Sequence, residues 1–160
     1  MKLEELDLDH VIADLEAIRA INPQRFEMEQ LTAVIYADGE NGIFAGYKDV
    51  TEDEFWVRGH MPDYPLMPGV IQCEAAAQLC SWFCVTEQIM GGDFIGFGGL
   101  ENVRFRIPIE PGCRLVLIGK VTKRHRRQTT CNVQGFVEGT LVIQADIIGT
   151  PLKSNQTKKE

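Results

Sequence analysis

The sequence predicts an α+β fold, one long central helix packed against a curved antiparallel sheet. Three observations carry this expectation. The stretch from Val70 to Met90 is too long for a strand and is rich in Ala, Gln, Leu and Met, which favour helix. Runs of β-favouring residues lie on both sides of it, broken by turn-forming Gly, Pro, Asp and Asn. The runs that follow it come consecutively, with connections suited to antiparallel pairing. A helix and a sheet so arranged bury each other's apolar surfaces, and residues 1–152 are expected to form a single domain.

Leu8, Val11, Ile12, Leu15 and Ile18 fall on one stripe, which predicts an amphipathic helix over residues 8–21. Asp7 or Asp9 is available to cap its start, and Asn22-Pro23 stops it. Leu31–Tyr36 and Ile43–Lys48 read as a hairpin around the turn-rich Asp38-Gly39-Glu40-Asn41-Gly42. A short strand over Phe55–Arg58 then delivers the chain to His60. The long helix follows. Pro68 suits its first turn, where a missing N–H costs nothing, and Gly91-Gly92 supplies the stop. Its centre, Ala75-Ala76-Ala77, lets other backbone approach closely, so the helix is expected to be wrapped. Phe94–Gly99, Asn102–Arg106, Leu115–Arg124, Gln128–Glu138 and Thr140–Gly149 read as the later strands, with reversals at Pro111-Gly112, Arg126-Arg127 and Gly139. The polar tail from Lys153 to Glu160 is expected to be disordered.

With 44% hydrophobic and 24% charged residues, the chain can bury a core and does not have the composition of a disordered protein. A net charge of −7 argues against a general nucleic-acid binder, whose affinity depends on basic groups meeting phosphates. Lys120, Lys123, Arg124, Arg126 and Arg127 nevertheless cluster around His125, either as a solvated strand end or as a dock for an acidic partner. The start, Met1-Lys2-Leu3-Glu4-Glu5, leads into no long apolar segment, so a cytoplasmic protein without a membrane span is expected. The five cysteines show no paired CxxC spacing. Cys73, Cys80 and Cys84 read as small core residues of the helix, with no metal site expected.

The chemistry concentrates between His60 and Glu74, in Gly59-His60-Met61-Pro62-Asp63-Tyr64-Pro65-Leu66-Met67-Pro68-Gly69-Val70-Ile71-Gln72-Cys73-Glu74. An imidazole and a carboxyl together can remove a proton from carbon and return one to a departing hydroxyl. Glu74 shares a helical face with Val70, Ile71 and Ala77 and lies beyond the first turn, so charge at the helix start does not account for it. Burial beside apolar groups favours the protonated carboxyl, the form that can act as an acid. Gln78, one turn later, is placed to orient that carboxyl or a water, or to serve as an interface amide. Gly69, at the helix start, would offer a backbone N–H to charge developing on a substrate carbonyl, or would merely permit the turn.

The segments Gly59-His60-Met61-Pro62, Pro65-Leu66-Met67-Pro68-Gly69-Val70 and Glu74-Ala75-Ala76-Ala77-Gln78 closely resemble the motif of the 3-hydroxyacyl-acyl-carrier-protein dehydratases of FabZ/FabA type. Gly99-Leu100-Glu101-Asn102-Val103-Arg104-Phe105-Arg106-Ile107-Pro108, followed by Glu110-Pro111-Gly112, is also similar to that family. The resemblance covers about residues 20–150, and Glu at position 74 places it nearer the FabZ branch. It implies a hotdog fold and a homodimer, with trimers of dimers as a larger assembly. It also implies dehydration of (3R)-3-hydroxyacyl thioesters to trans-2-enoyl thioesters without metal or organic cofactor. His60 of one protomer would then be the base and Glu74 of the other the acid. A backbone carbonyl near Leu66 would hold Nδ1 of His60, leaving Nε2 to work. Leu66, Gly69, Val70 and Gln78 become substrate-binding candidates.

Acyl carrier proteins are acidic, so Arg104, Arg106, Lys123, Arg124, Arg126 and Arg127 become docking candidates. The chain departs from the family pattern at Met61, where Phe is usual, and at Asp63-Tyr64, where Gly-Asn is usual. It departs again at Asn22-Pro23-Gln24-Arg25-Phe26, where a Pro-His-Arg segment is common. The alternatives are a hotdog acyl thioesterase, which would release free thiol, and a non-catalytic acyl-binding protein, which would bind without turnover.

Overall fold

The computed structural model describes residues 1–153. Two α-helices, α1 (Leu15–Ile21) and α2 (Gly69–Thr86), occur among them, with six strands: β1 (Ala33–Asp38), β2 (Ile43–Val50), β3 (Phe94–Phe105), β4 (Cys113–Lys123), β5 (Thr129–Val137) and β6 (Thr140–Leu152). The strands form one sheet in the order β1-β2-β4-β5-β6-β3, every neighbouring pair antiparallel. This sheet curls around α2 in the hotdog arrangement.

Helix α2 is wrapped, as its small and apolar residues require. From Gln72 to Cys84 all but Glu74 and Ala77 are buried, a distribution too broad for a one-faced surface helix. Leu79 and Phe83 are fully buried, and the Phe83 ring stacks on Phe44 of β2 with centroids 4.4 Å apart. Deleting such a side chain would cost about 3–5 kcal/mol. On the sheet's other face Ala33, Ile35, Ala45, Tyr47 and Val116 form a smaller apolar cluster, covered in part by Leu3, Leu6 and Leu8.

Several elements differ from the sequence expectation. The helix expected over residues 8–21 begins only at Leu15, capped by the Asp14 carboxylate, which accepts from the Ala17 N–H. Upstream, Ala13 bridges Val34 of β1, and that backbone pairing holds the chain extended. Asp7 caps no helix, accepting from the Asp9 N–H instead. Phe55–Arg58 is a series of turns, not a strand, since the N–H groups of Gly59 and His60 both donate to the Trp56 carbonyl. Helix α2 stops at Thr86, four residues before Met90, because Gln88 adopts a left-handed conformation (φ 51°). Pro68 is the residue just before that helix, not in its first turn. The two strands expected over 94–99 and 102–106 are one strand, β3, irregular at Phe97/Gly99 and again at Glu101/Arg104, beside Asn102 at φ 53°. The tail expected to be disordered lies, apart from Lys153, outside the described residues.

Strands β1 and β3 are the sheet edges. β3 is the more open, with Phe97, Leu100 and Phe105 all more than 40% exposed. Among the described residues no helix is long and apolar enough to cross a membrane.

Candidate active site

His60 sits on a loop pinned at several points. Its own N–H is bound to the Trp56 carbonyl, and the Met67 N–H beyond it donates 2.7 Å to the Ile109 carbonyl. The Tyr64 hydroxyl donates to the Glu110 carboxylate at 3.2 Å, and this bond pushes the Tyr64 phenol up from its ordinary value. Within this frame His60 Nδ1 lies 2.9 Å from the Leu66 carbonyl oxygen. A carbonyl can only accept, so Nδ1 carries the hydrogen and Nε2 of the neutral ring is the free base. The Leu66 backbone carbonyl thus stands where the motif implied a partner for Nδ1.

His60 lines a cavity together with Leu66, Gly69, Val70, Gln72, Phe105 and others. Gly69 and Val70 open α2, ahead of Ile71 and Gln72, whose N–H groups donate to the Pro68 carbonyl, and this end of the helix brings positive dipole charge to the cavity. A Cβ on Gly69 would come within 2.7 Å of the tip of the Phe105 ring, an exposed side chain that would have to turn aside to admit it. Val70, next to it, is 75% exposed.

Glu74 is half-buried and held by Gln78. The Gln78 Oε1 accepts the Gln30 N–H at 2.8 Å, which fixes the amide's orientation. Its Nε2 then donates both to the Met28 carbonyl at 2.6 Å and to Glu74 Oε1 at 2.7 Å. The Gln78 backbone carbonyl is itself bound by Asn22 Nδ2. Among the contacts read as alternatives from the sequence, the one to the Glu74 carboxyl is present. Glu74 opens into a different cavity, between α2 and β3, β5 and β6, with Ser81, Cys84, Met90, Ile95 and Cys131 among its walls.

The two cavities have no lining residue in common, so one chain does not bring His60 and Glu74 into a single cavity. Cys80, Cys84 and Cys131 are buried free thiols. Contact with Cys131, with burial second, pushes the Cys84 thiol far up, and contact with Cys80 does the same for Cys131. The Cys84 and Cys131 thiols are neutral wall atoms here. No group of three or more His, Cys, Asp or Glu side chains suited to a metal occurs among the described residues.

The basic candidates fall in two places. Arg106 borders the His60 cavity and donates to Gln144 at 2.6 Å, while Arg104 on β3 donates to the Val103 carbonyl. Lys123 ends β4, and Arg124, Arg126 and Arg127 follow it in an exposed turn. Arg126 lines a third cavity, at the far end of α2. Sequence reasoning missed the walls supplied by Met90, Ile95, Thr129 and Cys131. Only Ala77, Ser81 and Cys84 were within its reach, since they follow Glu74 at spacings of three, four and three along one helix face.

The fold and the paired cavities define a hotdog-fold protein. Residues 22–146 match the FabA-like domain. The 3-hydroxyacyl-[acyl-carrier-protein] dehydratase FabZ of Agrobacterium fabrum is 36% identical over 137 residues, covering 84% of this chain and 87% of that protein. FabZ of Acinetobacter baylyi is 34% identical over 146 residues, 89% of this chain and 97% of that one. Among solved structures, the dehydratase heterocomplex ApeI:P from Xenorhabdus doucetiae superposes with a TM-score of 0.70 at 15% identity, covering 88% of this chain and 93% of that one. Thioesterase superfamily member 2 from Mus musculus gives 0.64 at 13% identity, covering 84% and 92%. These two structures share the fold alone. The chain belongs to the FabA-like family.

Proposed function

We propose that this protein dehydrates (3R)-3-hydroxyacyl thioesters linked to acyl carrier protein, giving trans-2-enoyl thioesters. The observation that carries the reading is the pair of restraints on the candidate acid and base. The Leu66 carbonyl holds Nδ1 of His60, and Gln78 holds one oxygen of Glu74. Each leaves one working atom free. In this reading His60 Nε2 takes the proton from Cα of the substrate. Charge moves onto the thioester carbonyl oxygen, where the N–H groups opening α2 stabilise it. The C3–O bond breaks as the carboxyl of Glu74 gives its proton to the departing hydroxyl, which leaves as water. The proton gained by His60 returns the pair to its starting state by way of solvent.

The acting pair is assembled across a dimer. Three features support that: the separate cavities of His60 and Glu74, the open edge of β3, and exposed Val70, Phe97, Leu100 and Phe105 near it. Edge pairing through β3 would remove a free strand edge and cover those side chains. The acyl chain then runs into the cavity beside α2, and a trimer of dimers is the larger assembly to look for. The relatives named above are FabZ dehydratases, whose names specify substrates on acyl carrier protein.

The test is hydration of a crotonyl thioester followed at the enoyl absorbance, with thiol release monitored in parallel. The wild type should hydrate without releasing thiol, and His60→Ala and Glu74→Gln should each lose about 10²-fold or more. Thiol release by the wild type would replace this reading with a thioesterase, and full activity in either variant would remove that residue from the chemistry.

A further inference from the structure

The Glu74 cavity runs along α2 on the face marked by Glu74, Ala77, Ser81 and Cys84. Ten residues of helix separate the first from the last, about 15 Å at 1.5 Å per residue. Beyond Cys84 the cavity meets Met90 and Ile95. The same two side chains line the outer cavity at the end of α2, together with Gly91, Gly92, Phe94 and Arg126. No other residue is common to the two cavities. Met90 and Ile95 are therefore the partition between them.

The backbone of β6 provides independent support. A Cβ placed on Gly149 would lie 2.8 Å from Ile95 Cγ2 and 3.4 Å from Met90 Cε. Both side chains thus rest on the bare backbone of one glycine, which leaves room for them to meet. Their stiffness differs. Ile95 is β-branched and held in the β3–β6 ladder opposite Pro151. Met90 is unbranched, has several rotatable bonds and lies in the non-helical segment after α2. Ala77, Ile147, Ile148 and the neutral thiols of Cys84 and Cys131 give the cavity an apolar side suited to hydrocarbon, while Gln24, Ser81 and Thr129 are polar members of its wall.

We propose that Met90 and Ile95 form the end wall of the acyl cavity and set the chain-length limit of the substrate. Short and medium acyl chains end inside the cavity. A long chain must displace Met90 and enter the outer cavity, at the cost of the contacts that Met90 makes over Gly149. The inference rests on the dehydratase reading, and it names the substrate class of that same site.

The experiment compares crotonyl, trans-2-octenoyl and trans-2-hexadecenoyl thioesters of one carrier, using wild type, Met90→Ala and Ile95→Ala, each checked for folding by circular dichroism and thermal melting. Wild type should hydrate the two shorter substrates and discriminate against the longest. Either folded variant should raise the ratio of kcat/KM for hexadecenoyl over crotonyl by roughly tenfold or more, the scale expected when a hydrophobic pocket gains or loses a few carbons. The wall is overturned if wild type treats all three lengths alike, or if a folded variant keeps the wild-type ratio. Absence of hydration with every length is a separate result, which takes down the dehydratase reading on which the wall depends.

Discussion

Gln78 is the side chain whose contacts reach furthest into the candidate site. It accepts from Gln30, donates to Met28 and donates to Glu74, so one amide joins the carboxyl to the segment before β1. Gln78→Ala would leave the Gln30 N–H and the Met28 carbonyl without this partner, at about 1–3 kcal/mol for each group that stays buried and unpaired. It would also free the Glu74 carboxyl to rotate. The expected outcome is a kcat lowered about tenfold with KM little changed, because the lost restraint acts on the reacting geometry and not on substrate uptake. A loss of melting temperature with unchanged kcat would make Gln78 a structural residue only. The place of Gln78 beside Glu74 was legible in the sequence as a one-turn spacing, and so was the Leu66 carbonyl partner of His60 through the motif. Gln30, Met28 and Asn22 were not, since contacts from 48 to 56 residues away in sequence leave no local periodicity.

At the scale of elements, β3 is the strand on which the proposed dimer depends. Its burial pattern is open for most of its length, and its outer edge has no partner strand among the described residues. Leu100, 42% exposed, provides a probe that lines neither the His60 cavity nor the Glu74 cavity. Leu100→Lys should shift the protein from dimer toward monomer in sedimentation or light scattering, and hydration activity should fall with the dimer population. A dimer that persists with full activity would exclude this edge from the interface. The sequence made the long helix and the antiparallel plan legible because their periodicity is long and their turns carry Gly and Pro. It misread the ends. Backbone pairing between Ala13 and Val34 cancelled half of an amphipathic helix, and the left-handed Gln88 cut α2 short. Neither tertiary pairing nor a non-glycine left-handed residue is encoded in hydrophobic spacing.

At the scale of the whole molecule, an acidic chain of net charge −7 concentrates its cations in the turn from Lys123 to Arg127 and at Arg104 and Arg106. The structure separates these groups between the far end of α2 and the His60 cavity. Exposed charges of this kind act on encounter and are screened by salt. Arg104→Glu with Arg106→Glu should raise KM for carrier-linked substrate while leaving KM for a short free thioester nearly unchanged, and salt should narrow the difference. The same comparison with Arg124→Glu and Arg126→Glu decides which group meets the carrier, and equal loss with both substrates would refute docking by the group tested.

The arrangement of His60 and Glu74 across two chains is tested most directly by mixing two inactive proteins. His60→Ala and Glu74→Gln are prepared separately, then combined by co-expression or by dissociation and reassociation, and hydration of crotonyl thioester is measured. If each site takes its histidine from one protomer and its carboxyl from the other, a mixed dimer has one site with both defects and one with neither. Activity should therefore reappear, approaching that of one intact site per mixed dimer. Mixed dimers that form but remain as inactive as their parents would contradict the account, placing both residues of each site within a single chain or outside the chemistry.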